Sequence, residues 1–251
     1  MKDLLILTCA DGLYLDYTPL WEYCIRKSIP EAKCECIEIT QKPCNYFSAC
    51  YRLLFTPEPG YKYYYIDDVD IMHTKESPSL MEYHLDQMKN TGLCYSNTLR
   101  KWEYLGDQRM TGLNFVTPEW YEKTADLREK YLHMLSNGEI GQSRFDDEMI
   151  LKKVCVESEL EIPPRQELVP RHKGIHLGTL RAYRNHSRGK RNQQLRIRIS
   201  PEQAARYLKY YEDPEYQKIV QKVCKASRTI KWELETLYSF CRRTEKEKVD
   251  G

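Results

Sequence analysis

The spacing of apolar and polar residues predicts a β-α-β unit at the start of the chain. Residues 3–11 begin with an unbroken apolar run, which is typical of a strand buried on both faces of a parallel sheet. Residues 17–28 have apolar side chains at helical spacing, and Ile29-Pro30 ends that helix. Residues 33–40 alternate between apolar and polar side chains, as a second strand does. This order predicts an α/β sheet with a right-handed crossover.

Helices and strands continue to alternate through the middle of the chain. The same patterns predict helices over residues 45–55, 77–90, 117–136 and 145–156, and strands over residues 62–66, 93–96 and 110–116. Ser77 is the expected N-cap of the second of these helices, with Pro78 at its first position. Gly112 lies inside the last strand, where a glycine often marks the close approach of a ligand or another backbone.

The last part of the chain is basic and helical. Residues 186–198 form a strongly basic stretch that we interpret as a linker, followed by predicted helices over residues 201–211 and 215–243. An apolar stripe runs along the second helix through Ile219, Val223, Ile230, Leu234, Leu237 and Cys241. Such a stripe can pack on the domain, form a dimer, or lie on an anionic membrane. We therefore expect a catalytic domain over residues 1–184 and a basic, helical region over residues 185–251.

Composition excludes several classes of protein. The chain has 251 residues and a formal net charge of +2, so it can bury a sizeable core and has no overall nucleic-acid signature. Its first apolar run is too short to span a membrane and lacks a signal peptide's cleavage site, which predicts a cytoplasmic protein with reduced thiols. The ten cysteines include no Cys-x-x-Cys pair, which argues against structural zinc.

Three carboxylates follow the strand at residues 62–66. Asp67, Asp68 and Asp70 repel one another unless a cation lies between them. The carboxyl end of such a strand faces the crevice where open α/β sheets bind ligands. Asp68 and Asp70 could both hold one Mg²⁺ or Mn²⁺ ion through oxygen. The alternative is an acidic turn with no ligand.

Two later segments carry further candidate chemistry. Asp146-Asp147-Glu148 begins a predicted helix, where acidic residues also complement the helix dipole without any further role. His176 is either a half-buried structural residue or a third ligand beside Asp68 and Asp70, which would complete a set suited to Mn²⁺. Arg181 and Arg184 are three residues apart and could meet phosphate from one side of a helical turn. No Walker or Rossmann glycine loop, Gly-x-Ser-x-Gly elbow or His-Glu-x-x-His site is present in the sequence.

Taken in order, these segments resemble the nucleotide-sugar glycosyltransferases of the GT-A fold, with a layout similar to family 8, the glycogenin and lipopolysaccharide galactosyltransferase type. The segments that carry the resemblance are Leu4–Asp11, Tyr51-Arg52-Leu53-Leu54, Tyr64–Asp70, Met110–Asn114, Asp146–Leu151 and Ile175–Gly178. The chain departs from the family in three places. The loop after His176 is one residue shorter, Arg181 replaces a Lys-Pro-Trp, and Asp147 replaces a Gln.

The resemblance implies a mixed, mostly parallel sheet flanked by helices, with a helical C-terminal appendage. It implies a UDP-sugar donor, and Mn²⁺ or Mg²⁺ held by Asp68, Asp70 and His176. The implied nucleotide-sugar-binding residues are Thr8, Ala10, Asp11, Tyr14, Arg52, Asp67, Asp68, Gly112, Gly178 and Arg181. The implied catalytic residues are Asp146, Asp147, Glu148 and Arg181. The metal would offset the charge that builds on the departing diphosphate, and Arg181 would add a second cation.

The resemblance favours transfer with retention, whereas Asp147 or Glu148 acting as a general base would give inversion. The expected acceptor is a glycan or a lipid-linked glycan in polysaccharide or surface-glycan synthesis, with no nucleic acid involved. The C-terminal helix would allow peripheral contact with the inner face of a membrane. Two other classes stay open, namely a sugar-nucleotide nucleotidyltransferase and a non-catalytic nucleotide-binding protein of the same fold. The sequence predicts no oligomeric state.

Overall fold

The computed structural model describes residues 2–101, 108–163, 174–180 and 199–249. The chain forms two compact units. The sheet unit consists of Met1–Gly12, Glu31–Val69 and Leu80–Pro170, and the helical unit of Leu13–Pro30, Asp70–Ser79 and Arg171–Gly251. The predicted domain boundary between residues 184 and 185 lies outside the described residues.

The strands are β1 (Lys2–Asp11), β2 (Ala32–Ile39), β3 (Tyr61–Ile66), β4 (Ile71–Met72), β5 (Tyr95–Ser96), β6 (Leu99–Lys101), β7 (Gln108–Met110), β8 (Asn114–Val116) and β9 (Ile175–His176). The helices are α1 (Thr18–Ser28), α2 (Phe47–Leu54), α3 (Leu80–Thr91), α4 (Pro118–Lys123), α5 (Ala125–Ser136), α6 (Asp146–Glu157), α7 (Pro201–Tyr210), α8 (Pro214–Ala226) and α9 (Arg228–Val249). A 3₁₀ helix covers Gly12–Tyr17.

The sheet unit is built on a five-stranded sheet in the order β2-β1-β3-β8-β5. β1 pairs in parallel with both β2 and β3, whereas β8 runs antiparallel to β3 and to β5. β8 is therefore the reversed strand, and the other four point the same way. The chain has a mixed α/β fold with a mostly parallel central sheet flanked by helices.

β1 lies at the centre of this unit because its sequence suits burial on both faces. Leu4, Leu5, Ile6 and Leu7 are all buried, as the unbroken apolar run predicts. One face of the sheet packs against α2, α5 and α6 in a core that includes Trp120. The predicted β-α-β start is confirmed, and the strand bounds agree within one residue.

The prediction of one continuous strand over residues 110–116 is wrong. The chain forms β7 and β8 in that region and leaves the ladder at residues 111–113. Asn97 accounts for the break, because its side chain bonds to backbone atoms of Thr111 and Leu113 in place of a neighbouring strand. β7 instead pairs with β6 in a hairpin that the pattern did not predict.

Two predicted helices also begin or end elsewhere. The helix expected from Ser77 begins at Leu80, since Ser77-Pro78 lies in a turn before it. The helix expected over residues 117–136 is two helices, α4 and α5, that meet at Thr124. Thr124 is fully buried and its hydroxyl donates to the carbonyl of Trp120, a local bond that competes with regular helical pairing.

The helical unit combines α1 with the C-terminal helices and the short β4–β9 pair. Its interior is rich in tyrosine, and Tyr17 donates to the buried carboxylate of Glu233 at 2.5 Å. The helix predicted over residues 215–243 is divided at Ser227 into α8 and α9. Most of the predicted apolar stripe is buried in this unit: Val223, Ile230, Leu234, Leu237 and Cys241 are at most 3% exposed. The structure therefore shows that the stripe packs within the protein, which is one of the three roles considered.

Candidate functional site

The strand order creates a switch point between β1 and β3. The chain crosses from β1 to β2 on one side and later places β3 on the other side of β1. In open α/β sheets, ligands bind in the crevice outside the carboxyl ends of the strands at such a point. β1 ends at Asp11, and β3 is followed directly by Asp67 and Asp68. The candidate nucleotide-binding residues of the sheet unit thus lie where this topology favours a ligand.

Thr8 and Asp67 join the two strands at this edge. The amide of Asp67 donates to the carbonyl of Leu7 at 2.8 Å, and the Thr8 hydroxyl donates to the carbonyl of Asp67 at 2.9 Å. Thr8, Ala10 and Asp67 are all fully buried. They therefore belong to the protein interior at this edge, and Asp11 is the first residue of β1 after Asp3 that reaches solvent.

Asp11 has two partners that the sequence pattern did not reveal. Lys42 lies 2.6 Å from one carboxylate oxygen, and the Ser48 hydroxyl donates to the other. Ser48 and Arg52 are four residues apart in α2, so they share one face of that helix. That spacing was the available signal, because a helix that presents Arg52 to the site also presents Ser48.

Arg52 is buried at the centre of the site, with its side chain 4% exposed. Its guanidinium donates to the carbonyl of Asp67 at 2.7 Å and to the carboxylate of Asp68, and its other terminal nitrogen lies 3.3 Å from Asp147. Burial alone would lower the pKa of Arg52, but Asp68 and Asp147 raise it well above its usual value. Arg52 is therefore a permanent cation that links two carboxylates from distant segments.

Asp147 is the titratable group of the site with a pKa near neutrality. Burial raises the pKa of its carboxyl to about 6, Arg52 opposes the shift, and Glu148 and Asp68 add to it. Gly112 lies directly against this pair, because a Cβ there would come within 2.8 Å of both Arg52 Nη2 and Asp147 Oδ2. The groups that lie close to Gly112 are therefore these two side chains, whereas the sequence predicted a ligand or another backbone.

Asp146 and Glu148 have partners of their own. Asp146 accepts from the backbone amides of Gln142 and Ser143 at 2.8 and 2.9 Å, which fixes the loop before α6. Glu148 is 7% exposed, and its two oxygens are bound by Arg100 and Arg109.

The two arginines are register partners on the β6–β7 hairpin, so Glu148 fastens that hairpin to α6. The Arg109 guanidinium also stacks 3.9 Å above the ring of Phe145. Sequence reasoning did not find this clamp. The sequence signal for it is limited to the basic residues Arg100 and Arg109 themselves, which do not indicate their partner.

In the helical unit the structure brings together Asp70 and His176. His176 Nε2 lies 3.1 Å from Asp70 Oδ1, and the backbone amide of Leu177 donates to the carbonyl of Asp70 at 2.9 Å. The β4–β9 pairing causes this contact, since it places Ile71 opposite His176. Gly174 directly precedes β9 and has a φ of +67°. A Cβ at this position would clash with the backbone of Met72. Asp70 is 5% exposed, whereas the His176 side chain is 40% exposed.

The remaining candidates are less constrained by the structure. Gly178 is half-buried after β9, and the Thr179 hydroxyl beside it donates to the carbonyl of His176 at 2.7 Å. Tyr14 lies in the 3₁₀ helix with 43% of its surface exposed, against the ring of Tyr17. Arg181, together with Arg184, lies outside the described residues.

Comparison with solved structures shows a distant similarity to a glycosyltransferase. No protein-family model matches the chain, and no curated protein matches it. The fold is similar to the crystal structure of the glycosyltransferase GlyE of Streptococcus pneumoniae TIGR4, with a TM-score of 0.38 and 14% identity. The match covers 61% of this chain and 43% of that one, so the chain spans less than half the length of GlyE. A similarity of this size carries no argument about function. Among the described residues, no helix is long and apolar enough to cross a membrane.

Proposed function

We propose that the protein is a metal-dependent glycosyltransferase that uses a nucleotide-sugar donor, of which a UDP-sugar is the leading candidate. One observation carries the proposal. Arg52 from α2, Asp68 from the end of β3, Asp147 from α6 and the backbone at Gly112 converge beside the switch point of the sheet. Such a set combines a fixed cation, a hard-metal ligand and a carboxylate with a pKa near neutrality at one place.

The nucleoside would lie at the carboxyl end of β1. Thr8 and Ala10 are fully buried at this end of the strand, and Asp11 provides a carboxylate that Ser48 and Lys42 hold in place. A carboxylate held in this way can accept hydrogen bonds from a base N–H or a ribose hydroxyl. Tyr14 and Gly178, which the resemblance assigns to the donor as well, remain part of the proposal.

Asp68, Asp70 and His176 would hold the metal. The donor set of two carboxylate oxygens and one imidazole nitrogen suits Mn²⁺ and also accepts Mg²⁺. The 3.1 Å contact between Asp70 and His176 supports the fit, and Asp68 precedes Asp70 by only two positions along the chain. When bound, such an ion supplies a Lewis acid that offsets negative charge on a diphosphate leaving group.

The chain's own residues then position and polarise the donor. Arg52 holds Asp68 and Asp147 in fixed orientations and keeps its positive charge at every physiological pH. Asp147 would accept hydrogen bonds from the donor sugar or the acceptor hydroxyl, and its pKa of about 6 lets it take a proton near neutrality. Asp146 binds the loop before α6, and Glu148 binds the β6–β7 hairpin. We therefore propose that Asp147 contacts the reacting groups, whereas Asp146 and Glu148 position the surrounding backbone.

The stereochemistry of the reaction, its acceptor and the role of Arg181 are proposed from the sequence resemblance alone. We propose hexosyl transfer with retention, to a glycan or lipid-linked acceptor in polysaccharide or surface-glycan synthesis. Arg181 would add a cation at the diphosphate. An inverting reaction would instead need Asp147 in line behind the sugar as the general base, and the anomeric configuration of the product distinguishes the two.

Calorimetric titration of UDP, GDP and CMP, each with and without Mn²⁺, tests the proposal. We expect UDP to bind only with the metal in the wild type, and not in Asp70→Ala or His176→Ala. Asp126→Ala is a matched control, since Asp126 is an exposed carboxylate on α5, and it should bind UDP as the wild type does. A search for UDP-sugar hydrolysis would then identify the sugar. If no nucleotide binds under any metal, the donor site does not exist and the proposed function is wrong.

A further inference from the structure

Helix α8 carries a row of lysines on the helical unit. Lys218, Lys222 and Lys225 are separated by four and three residues, so their side chains lie on one face of the helix. All three are exposed, and no residue that the structure describes forms an ion pair with them. Together with Gln221 and Ala226 they line a shallow depression that is open to solvent. We call this surface the α8 lysine face.

The two acidic residues at the start of α8 do not neutralise this face. Glu215, in the first turn, binds Arg26 at 2.5 Å, and the N-cap residue Asp213 binds Lys27 at 2.7 Å. Both negative charges are therefore used at the start of the helix. Nor does the helix dipole account for the whole row, because its effect is confined to the last turn and Lys218 lies more than two turns before the end.

The apolar side of the C-terminal helices is not available for insertion into a membrane. Val223 of α8 is 3% exposed, and the stripe on α9 from Ile230 to Cys241 is buried in the same unit. An amphipathic helix binds a bilayer by burying its apolar face among the acyl chains. In the described residues most of that face is already covered by protein, so charge is the main attraction that these helices offer to a membrane.

We propose that the α8 lysine face docks the protein on an anionic lipid bilayer through the phosphates of its head groups. The row spans about 10 Å along the helix, given a rise of about 1.5 Å per residue. Lysine ammonium groups bind phosphate as point charges without a fixed geometry, which suits a fluid array of head groups. A single-stranded nucleic acid is less well matched, because the face offers lysine, glutamine and alanine and no aromatic ring for a base to stack on. Docking does not depend on the donor site.

Vesicle co-sedimentation of the full chain tests the proposal. The vesicles would contain either phosphatidylcholine alone or equal parts of phosphatidylcholine and phosphatidylglycerol. We expect binding to the mixed vesicles only, and weaker binding at high salt. The variant Lys218→Gln/Lys222→Gln/Lys225→Gln should bind about a hundredfold more weakly, at roughly fivefold per lysine. The corresponding triple arginine variant should bind like the wild type, since it keeps the charge.

A matched control separates this face from bulk charge. Lys33, Lys89 and Lys153 are exposed lysines of the sheet unit, and changing all three to glutamine removes the same charge. This control should keep its binding to mixed vesicles. Three results would overturn the proposal: no binding of the wild type to mixed vesicles, equal loss in both glutamine variants, or tighter binding of a single-stranded oligonucleotide that only the α8 variant loses. A parallel UDP titration of each variant keeps a failure of docking distinct from a failure of the donor site.

Discussion

Arg52 and Asp147 meet at 3.3 Å although 95 positions separate them along the chain. The contact connects α2 to the first turn of α6, and the two side chains are 4% and 13% exposed. An ion pair in such surroundings is strongly destabilising to break from one side, because the remaining charge is left without compensation. Arg52 and Asp147 are therefore best studied with substitutions that keep the shape of the side chain and change its charge, or that change the space around the pair.

The raised pKa of Asp147 predicts how stability depends on pH. Its folded-state pKa of about 6 lies above the ordinary value of 3.8, so between these values the folded chain binds more protons than the unfolded chain. The free energy of unfolding therefore falls as pH rises through this window.

Asp147→Asn should remove this fall in the free energy of unfolding with rising pH, because asparagine does not titrate. Relative to the wild type, its free energy of unfolding should increase by on the order of 3 kcal/mol between about pH 4 and about pH 7. Urea denaturation at a series of pH values measures the difference. Asp126→Asn, at an exposed position of α5, should follow the wild-type curve. Parallel curves for Asp147→Asn and the wild type would show that Asp147 does not titrate in this window.

Gly112→Ala should disturb the site through crowding. The added Cβ would come within 2.8 Å of Arg52 and Asp147, whose ends are held in the ion pair that they form with each other. We expect a loss of about 1–3 kcal/mol in stability and weaker UDP binding by calorimetry.

Gly92→Ala is the control for Gly112→Ala, since Gly92 has a φ of +72° with open space around its Cβ position. It should cost stability through the backbone and leave UDP binding intact. Unchanged UDP binding in Gly112→Ala would mean that the backbone does not pack against a functional ion pair.

Asn97→Ala should loosen the segment between β7 and β8. Asn97 donates to the carbonyls of Thr111 and Leu113 and accepts from the amide of Thr111, so its loss removes three hydrogen bonds to the backbone of that segment. We expect a stability loss of about 2 kcal/mol and faster hydrogen exchange at residues 111–113. Asn90→Ala, on the exposed end of α3, is a control that should leave exchange there unchanged.

Arg128→Met should be strongly destabilising. Arg128 is 2% exposed, and its guanidinium donates to the carbonyls of Leu54 and Tyr121 and to the hydroxyls of Thr124 and Thr56. Methionine fills much of the space but leaves those acceptors unpaired, at a cost of about 3 kcal/mol. Chemical denaturation measures the loss. Arg144→Met, on the exposed loop before α6, should change stability by less than about 0.5 kcal/mol.

Sequence pattern predicted the parts of the fold that depend on local spacing. The buried run of β1, the alternation of β2 and the acidic end of β3 are local signals, and each lies where the pattern indicates. The break at residues 111–113 depends on Asn97, which meets that segment only after folding. No periodicity within residues 110–116 could reveal it.

The candidate site shows the same division between local and long-range evidence. Arg52, Asp68 and Asp147 could each be selected from their own segments. Their order of connection, with Arg52 between the two carboxylates, depends on how α2 and α6 pack in the core. The clamp on Glu148 depends likewise on the β6–β7 hairpin. Ion pairs between distant segments are determined by how those segments pack, so they cannot be predicted from the spacing of residues along the chain.

The hydrogen bond between Tyr17 and Glu233 has a practical consequence for the design of truncated versions of the protein. It joins the segment before α1 to the middle of α9, and Tyr23 of α1 similarly donates to Asp213 at 2.8 Å. A protein truncated after residue 184 would keep Tyr17, Tyr23 and Trp21 but lose the helices that cover them. We expect such a fragment to aggregate on expression, so the C-terminal helices have to be retained in any version made for crystallisation or assay.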